Sequence, residues 1–296
     1  MRTQSALIIG KDGLVGSGVF RLFRAKGVNA YGTTRRRPLH DSDILLDLSD
    51  RDLAKAELPQ TDVAIICAAA NGFAYCRSNP ENAKQVNVDG PLILARKLSS
   101  RGTRVIYLSS SAVFDFSRPH VTTPTPHCPS TIYGKSKAAG EQSVLSVGQF
   151  ATIVRLTKVL TPDMALLRQW IDTLHAGKNV GAFSDLNFCP ISLDYVANAL
   201  LAITEAGLPG IFHVSGASDI SYFDAARHFA ERMGVDGARI IEDRAAARGI
   251  PREEIATFTS LDASRYSALT GELPPQPLDV LDAIYGAAIA DAMAAQ

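Results

Sequence analysis

The sequence predicts an α/β fold, a doubly wound parallel sheet with a smaller C-terminal lobe interleaved with it. Three observations carry this. Short apolar runs recur through the first half of the chain, segments of helical period separate them, and three glycines follow directly on the first run.

The runs are Ala6–Ile9, Val28–Tyr31, Val63–Cys67, Val105–Leu108 and Ile153–Leu156. Runs this short and this continuously aliphatic suit strands buried on both faces, as a helix-covered parallel sheet requires. Such sheets take ligands at the carboxyl ends of their strands, where the strand order reverses. Functional residues are therefore expected just past the runs.

Gly10, Gly13 and Gly16 sit between the first run and a helical stretch, Leu14–Arg24, that closes at Gly27. In that context the first glycine permits the tight turn, the second lets backbone approach a diphosphate, and the third lets helix pack against strand. The free amides of Leu14 and Val15 at the helix start would attract the anion. A Rossmann-type dinucleotide site is thus expected. The end of the second run discriminates between dinucleotides. It carries no acidic residue for ribose hydroxyls and instead reads Thr33-Thr34-Arg35-Arg36-Arg37. Guanidinium groups there match a 2′-phosphate, so NADP is the preferred cofactor and NAD the alternative.

The alternating rhythm weakens after residue 160, where Asp163–Gly177, Phe183–Leu201 and Ser221–Gly234 read as helical or irregular. The expected division is a NAD(P)-binding domain over 1–160 and a mainly substrate-binding lobe over 161–296, with 211–216 returning to the first sheet.

Tyr133 and Lys137 stand four residues apart at the head of a helical run and so share a face. The ammonium can lower the phenol's pKa toward a range useful for proton transfer, and can also grip a nicotinamide ribose. The run Val105–Leu108 ends in Ser109-Ser110-Ser111, where a hydroxyl could donate to a substrate oxygen as charge develops on it. His120, His127 and His213 are given no role.

These residues resemble the extended short-chain dehydrogenase/reductase family, and within it most the dTDP-4-dehydrorhamnose reductase type. Ser109–Asp115 is similar to that group's Ser-Thr-Asp-Tyr-Val-Phe-Asp, which implies Ser110 as the catalytic hydroxyl beside Tyr133 and Lys137, with Ser111 on the substrate side. Pro129-Ser-Thr-Ile-Tyr-Gly-Lys-Ser-Lys137, followed by Gly140-Glu141, resembles its Tyr-Gly-x-x-Lys helix. The resemblance further implies cofactor contacts at Asp47, Leu48, Ala68, Ala69 and Asn87, and substrate contacts at Phe183, Asp185, Pro190 and Ile191.

Departures from the family narrow the chemistry. Ser111 and Ala112 stand where a sugar-nucleotide 4,6-dehydratase carries Asp-Glu, and Ala112 replaces the cysteine of epimerase-reductases of the GDP-fucose synthase type. Val121–Cys128 lacks an acidic residue common before the Pro-rich turn, and Asn187-Phe188 stands where an arginine is often found. The implied activity is reduction of a keto group on a substrate of the nucleotide-sugar kind. The alternatives are an epimerase that retains NAD and a non-catalytic NADP-binding regulatory protein.

Composition agrees with this and excludes other classes. The 296 residues are 46% hydrophobic and 20% charged, enough for one large domain and a lobe. Thirty basic and thirty acidic residues cancel, leaving no broad field for nucleic acid or an anionic membrane, so the expected partner is a small molecule, with a homodimer open. Cys67, Cys76, Cys128 and Cys189 form no Cys-x-x-Cys pair, so neither a metal site nor a disulfide framework is expected. The first apolar run is too brief for a signal core or membrane span, giving a cytoplasmic expectation.

Overall fold

The structure is a computed structural model describing residues 3–36, 43–50 and 52–294. Arg37 of the basic turn lies outside the described residues.

The first half runs β1 (Ser5–Ile9), α1 (Leu14–Ala25), β2 (Asn29–Thr34), β3 (Asp43–Leu45), β4 (Val63–Ile66), α2 (Phe73–Ser78), α3 (Pro80–Lys84), α4 (Gly90–Ser99), β5 (Arg104–Ser110), α5 (Ile132–Leu145) and β6 (Ala151–Leu156). The second half runs β7 (Lys158–Leu160), α6 (Ala165–His175), β8 (Val180–Phe183), β9 (Asn187–Phe188), β10 (Pro190–Ser192), α7 (Leu193–Ala206), β11 (Gly210–Val214), β12 (Ile220–Ser221), α8 (Tyr222–Arg232), β13 (Ile240–Asp243), α9 (Ser264–Thr270) and α10 (Pro277–Ala294).

Among the described residues the main sheet has seven strands in the order β11-β6-β5-β4-β1-β2-β3, every pair parallel. The α/β reading of the sequence is borne out. The order reverses between β1 and β4, which puts the ligand crevice beyond Ile9 and Ile66. Alternation along β1 feeds two cores. Ala6 and Ile8 join Val19 and Phe23 of α1, Leu200 of α7 and Phe212, while Leu7 and Ile9 join Leu94 and Leu98 of α4 and Val144 of α5. Helices therefore cover both faces, and this is why the strands read as continuous apolar runs.

The extra residues that the structure adds to these strands matter for the site. β5 continues past Leu108 through Ser110, and β2 past Tyr31 through Thr34, because polar residues at strand ends keep the ladder while facing the crevice. The small strands β7 to β10, β12 and β13 pair outside the main sheet. They surround a third core of α6, α8 and α10 that includes Trp170, Phe229 and Tyr285. No helix among the described residues is long and apolar enough to cross a membrane.

Leu200 is fully buried where α7 packs on α1. Leu200→Ala should cost about 2–5 kcal/mol in urea unfolding, from lost transfer energy and the cavity left behind. A loss under about 0.5 kcal/mol would mean this face is not a packed core.

Candidate active site

The crevice is one cleft of about 1230 Å³. It runs from the glycine turn past the ends of β4 and β5 to β9 and α8. At its first end Gly10 takes φ +85, and a Cβ there would lie 2.7 Å from the Cβ of Ala68. A Cβ on Gly16 would lie 2.2 Å from the carbonyl oxygen of Gly10. Gly10 thus lets the turn cross the end of β4, and Gly16 lets α1 sit against the turn. The Gly10 N–H donates to Thr33 Oγ1 at 2.9 Å, tying the turn to β2. α1 starts at Leu14 with no side-chain cap and no acid in its first turn, so its leading amides are available to an anion.

Gly10, Gly13, Leu14, Val15, Thr34, Arg35, Arg36, Asp47, Leu48, Ala68 and Ala69 all line the cleft. Arg35 and Arg36 are exposed at the end of β2. Gly16 and Asn87 do not line it. Asn87 is buried in a π-helical turn, Gln85–Asp89, where its Oδ1 accepts from the Ala70 N–H and its Nδ2 donates to the Ala70 carbonyl and to Ser136 Oγ. It holds the cleft wall to α5 rather than forming that wall. Asp12, inside the glycine turn, was not singled out by the sequence. It lines the cleft and hydrogen-bonds Thr34 Oγ1.

At the middle of the cleft the structure brings together Ser110, Ser111, Tyr133 and Lys137. Ser110 ends β5, and its Oγ accepts from the Ala112 N–H at 3.2 Å, capping a short 3-10 turn. Thr131 caps α5 by accepting from the Gly134 N–H at 3.0 Å, which sets Tyr133 in the first turn. A Cβ on Gly134 would lie 2.0 Å from the carbonyl oxygen of Ala112. That glycine therefore lets α5 press against the serine turn. Phe73 packs on Tyr133 with ring centroids 5.9 Å apart.

Lys137 is buried, donating from Nζ to the Leu108 carbonyl at 2.6 Å and lying 3.9 Å from the Tyr107 ring centroid. Burial lowers its pKa to about 7 against the pull of Glu141 in the other direction. Burial pushes Tyr133 up to about 12, and a hydrogen bond with Ser110 opposes it. The sequence reading gave Lys137 the task of lowering Tyr133. In the structure the opposing contact is Ser110, because the ammonium is turned to the Leu108 carbonyl.

Beneath this cluster lies a charged network that sequence reasoning did not assemble. Arg155 on β6 donates from Nε to Glu141 Oε1 at 2.9 Å and from an Nη to Oε2 at 2.7 Å. His127 Nε2 stands 2.8 Å from both Glu141 Oε2 and Arg155. Arg155 also donates to His213 Nε2 at 3.1 Å, and His213 Nδ1 donates to the Asp262 carbonyl at 3.1 Å. Since arginine only donates and a carbonyl only accepts, His213 carries one proton, on Nδ1. Burial would raise Glu141, but His127 and Arg155 hold it down to about 2. Burial, then the Arg155 charge, lowers His213 to about 4.

The four substrate positions implied by resemblance lie off the cleft lining. Ile191 is fully buried in the main core, Pro190 is buried in β10, and Asp185 accepts from the Ala245 N–H at 2.7 Å. Phe183 ends β8, paired with β13. The chain reaches the cleft between these positions, at Leu186, Asn187 and Phe188, joined by Lys158, Met164, Tyr222, Glu254 and Ala256. Of these, Lys158, Asn187 and Phe188 sit in strands of two or three residues and the others at a helix start, in a turn or in loops, so none carries a periodic signal that could have marked it.

A glycine turn at the sheet's switch point, with Ser110 across from a Tyr-x-x-x-Lys pair on the next helix, defines an extended short-chain dehydrogenase/reductase. Residues 4–276 match the family model described as the RmlD substrate binding domain, and the chain belongs to that family. It is similar to the probable low-salt glycan biosynthesis reductase Agl14 of Haloferax volcanii, 32% identical over 95% of this chain and 97% of that protein. The dTDP-4-dehydrorhamnose reductase of Mycobacterium tuberculosis is 30% identical over 92% and 89% of the two chains. Methionine adenosyltransferase 2 subunit beta of Xenopus laevis is 30% identical over 80% and 75%. The crystal structure of dTDP-4-dehydrorhamnose reductase from Yersinia enterocolitica superposes with a TM-score of 0.83 at 22% identity, covering 96% and 99% of the two chains.

Acid should unfold the protein in two overlapping steps. Both folded-state pKa values are depressed, so the unfolded chain takes up each proton first and stability falls as pH falls. His213 acts from about 6.5 down through about 4, and Glu141 from about 4.5 down through about 2. Each contributes at most about 3 kcal/mol. Thermal melts across this range should show the decline, and Glu141→Gln should start less stable and lose its lower part. A flat profile between pH 7 and 4 would contradict the buried, singly protonated His213.

Proposed function

We propose that the protein is an NADP-dependent reductase of a keto group on a nucleotide-sugar substrate. The observation that carries this is the joining of the glycine turn, Arg35 and Arg36 to Ser110, Tyr133 and Lys137 in one cleft. The first set suits a dinucleotide. Gly10 and Gly13 line the cleft beside the uncapped α1 amides, which would hold a diphosphate, and Arg35 and Arg36 line it at the end of β2, where they would meet a 2′-phosphate. Asp47 and Leu48 would border the adenine, and Lys137 the nicotinamide ribose. A bound NADPH would supply the hydride for the carbonyl carbon.

The chain's own residues do the rest. Ser110 Oγ and Tyr133 Oη would donate to the carbonyl oxygen, with Ser111 beside them on the substrate side. A phenol whose pKa lies near 12 is fully protonated at neutral pH, which is the state a proton donor needs. Tyr133 passes its proton to the oxygen as negative charge builds there. Lys137, one helical turn away and able to carry a charge near neutrality, would stabilise the phenolate that remains once its ammonium turns from the Leu108 carbonyl. In this reading the seven-stranded sheet serves the cofactor and the lobe built on α6, α8 and α10 closes the substrate side. The Agl14 and mycobacterial relatives, both named reductases, support this reading. The Xenopus relative, named as a subunit of another enzyme, favours a second reading in which the nucleotide site serves regulation. Turnover separates the two.

Tyr133→Phe should lower kcat for a 4-keto nucleotide sugar about 10²–10⁴-fold while leaving NADPH affinity intact. Full turnover by that variant would remove the mechanism, and no turnover by the parent protein across such substrates would favour regulation. Replacing Arg35 and Arg36 together by Ala should weaken NADPH about tenfold or more with NADH unchanged, as read by fluorescence titration. Equal affinities before and after would remove the 2′-phosphate assignment, and NAD copurifying with the protein would favour an epimerase.

A further inference from the structure

The charged side chains lining the cleft fall into two groups. Asp12, Arg35, Arg36 and Asp47 lie at the end beyond β1 to β3, and Lys137, Lys158 and Glu254 lie toward the other. In the second group Lys137 is committed to the Leu108 carbonyl and Glu254 is paired with Arg77. Lys158 has neither a carboxylate nor a carbonyl partner for its ammonium among the described residues. Its backbone is fixed. The N–H donates to the Cys189 carbonyl at 2.9 Å and the residue is in register with Pro190.

That placement is close to the reacting centre. Ser110 is register-paired with Leu156 across β5 and β6, and Lys158 comes two residues later, at the head of β7. Leu156, Thr157, Lys158 and Val159 all line the cleft. The pairing with Cys189 and Pro190 also sets the Lys158 backbone against the chain just after Asn187-Phe188. Asn187 lines the cleft there with a buried Oδ1 that has no donor, while its Nδ2 is spent on the Thr257 carbonyl. An unpaired cation and an unfilled acceptor on two residues that line the same cleft form an arrangement that a ligand bearing both hydroxyls and an oxyanion would complete.

We propose that Lys158 is a specificity-determining residue that binds an oxyanion of the substrate about one sugar ring from the reacting carbonyl, with Asn187 accepting from a sugar hydroxyl. This rests on the reductase reading and names the substrate's charge. The oxyanion is either the phosphate next to the sugar or a carboxylate on the ring. Lys158 is exposed along the cleft, and the protein around it still lowers its pKa, a shift that a bound anion would reverse.

The test is calorimetry on protein saturated with NADP⁺, so that no diphosphate can take the glycine turn. The probes are UDP-glucose, dTDP-glucose, UDP-glucuronic acid and inorganic pyrophosphate, each titrated into the parent protein, Lys158→Ala and Lys158→Arg. Lys158→Ala should bind roughly ten- to a hundredfold more weakly, the worth of a hydrogen bond to a charged group, with Lys158→Arg recovering most of it. An equal loss for the neutral and acidic sugars identifies the phosphate, and a loss confined to UDP-glucuronic acid identifies the carboxylate. Equal binding by the parent and Lys158→Ala overturns the proposal, as does failure of every probe to bind the parent. NADPH affinity is measured alongside. If it is normal, such a failure leaves the reductase reading standing, and if the parent binds no NADPH, that reading falls first.

Discussion

The ion pair between Arg155 on β6 and Glu141 on α5 is the contact on which the site leans, because it joins the helix that carries Tyr133 and Lys137 to the sheet that carries Ser110. Both partners are essentially excluded from water. Two charges desolvated together are stable only when their remaining donors and acceptors are also filled. His127 and His213 do that filling, one from the loop that leads into α5 and the other from β11. The pair also sets a local potential. Glu141 lies one turn beyond Lys137 and partly offsets the desolvation that would otherwise strip that ammonium of its proton. A single buried carboxylate thus serves both the geometry of the site and its charge.

How much of this was legible in the sequence depends on whether a residue's task repeats along the chain. The strands of the main sheet announce themselves because burial on both faces makes every position apolar. The glycine turn is legible because three glycines at fixed spacing follow directly on the first strand, and the switch point of the sheet lies at that strand's end, where β1 pairs with β4 on one side and β2 on the other. Tyr133 and Lys137 are legible as an i, i+4 pair on a helix. The short strands of the second half have no such period, so nothing distinguished Asn187, which reaches the cleft, from Asp185, which is turned to the Ala245 amide.

The partners of buried charges were less visible still. Arg155, Glu141, His127 and His213 come from four separate parts of the chain, and only the folded sheet brings them within hydrogen-bond reach. The same holds for the electrostatics of Tyr133. Sequence spacing correctly put a lysine on its face of the helix, but the backbone carbonyl of Leu108 competes for the ammonium, and no spacing rule contains that competitor.

The order of the strands along the chain bears on how the molecule is made. The last strand of the seven-stranded sheet ends at Val214, whereas the third core takes Val280, Leu281, Tyr285 and Ile289 from α10. During synthesis the sheet can therefore condense while α10 is still inside the ribosome, and the substrate side of the cleft acquires its packed support only after that helix has followed. A nascent chain halted between these points would carry a nearly complete nucleotide crevice beside an open apolar surface, which makes α10 the element whose arrival ends the chain's exposure to aggregation.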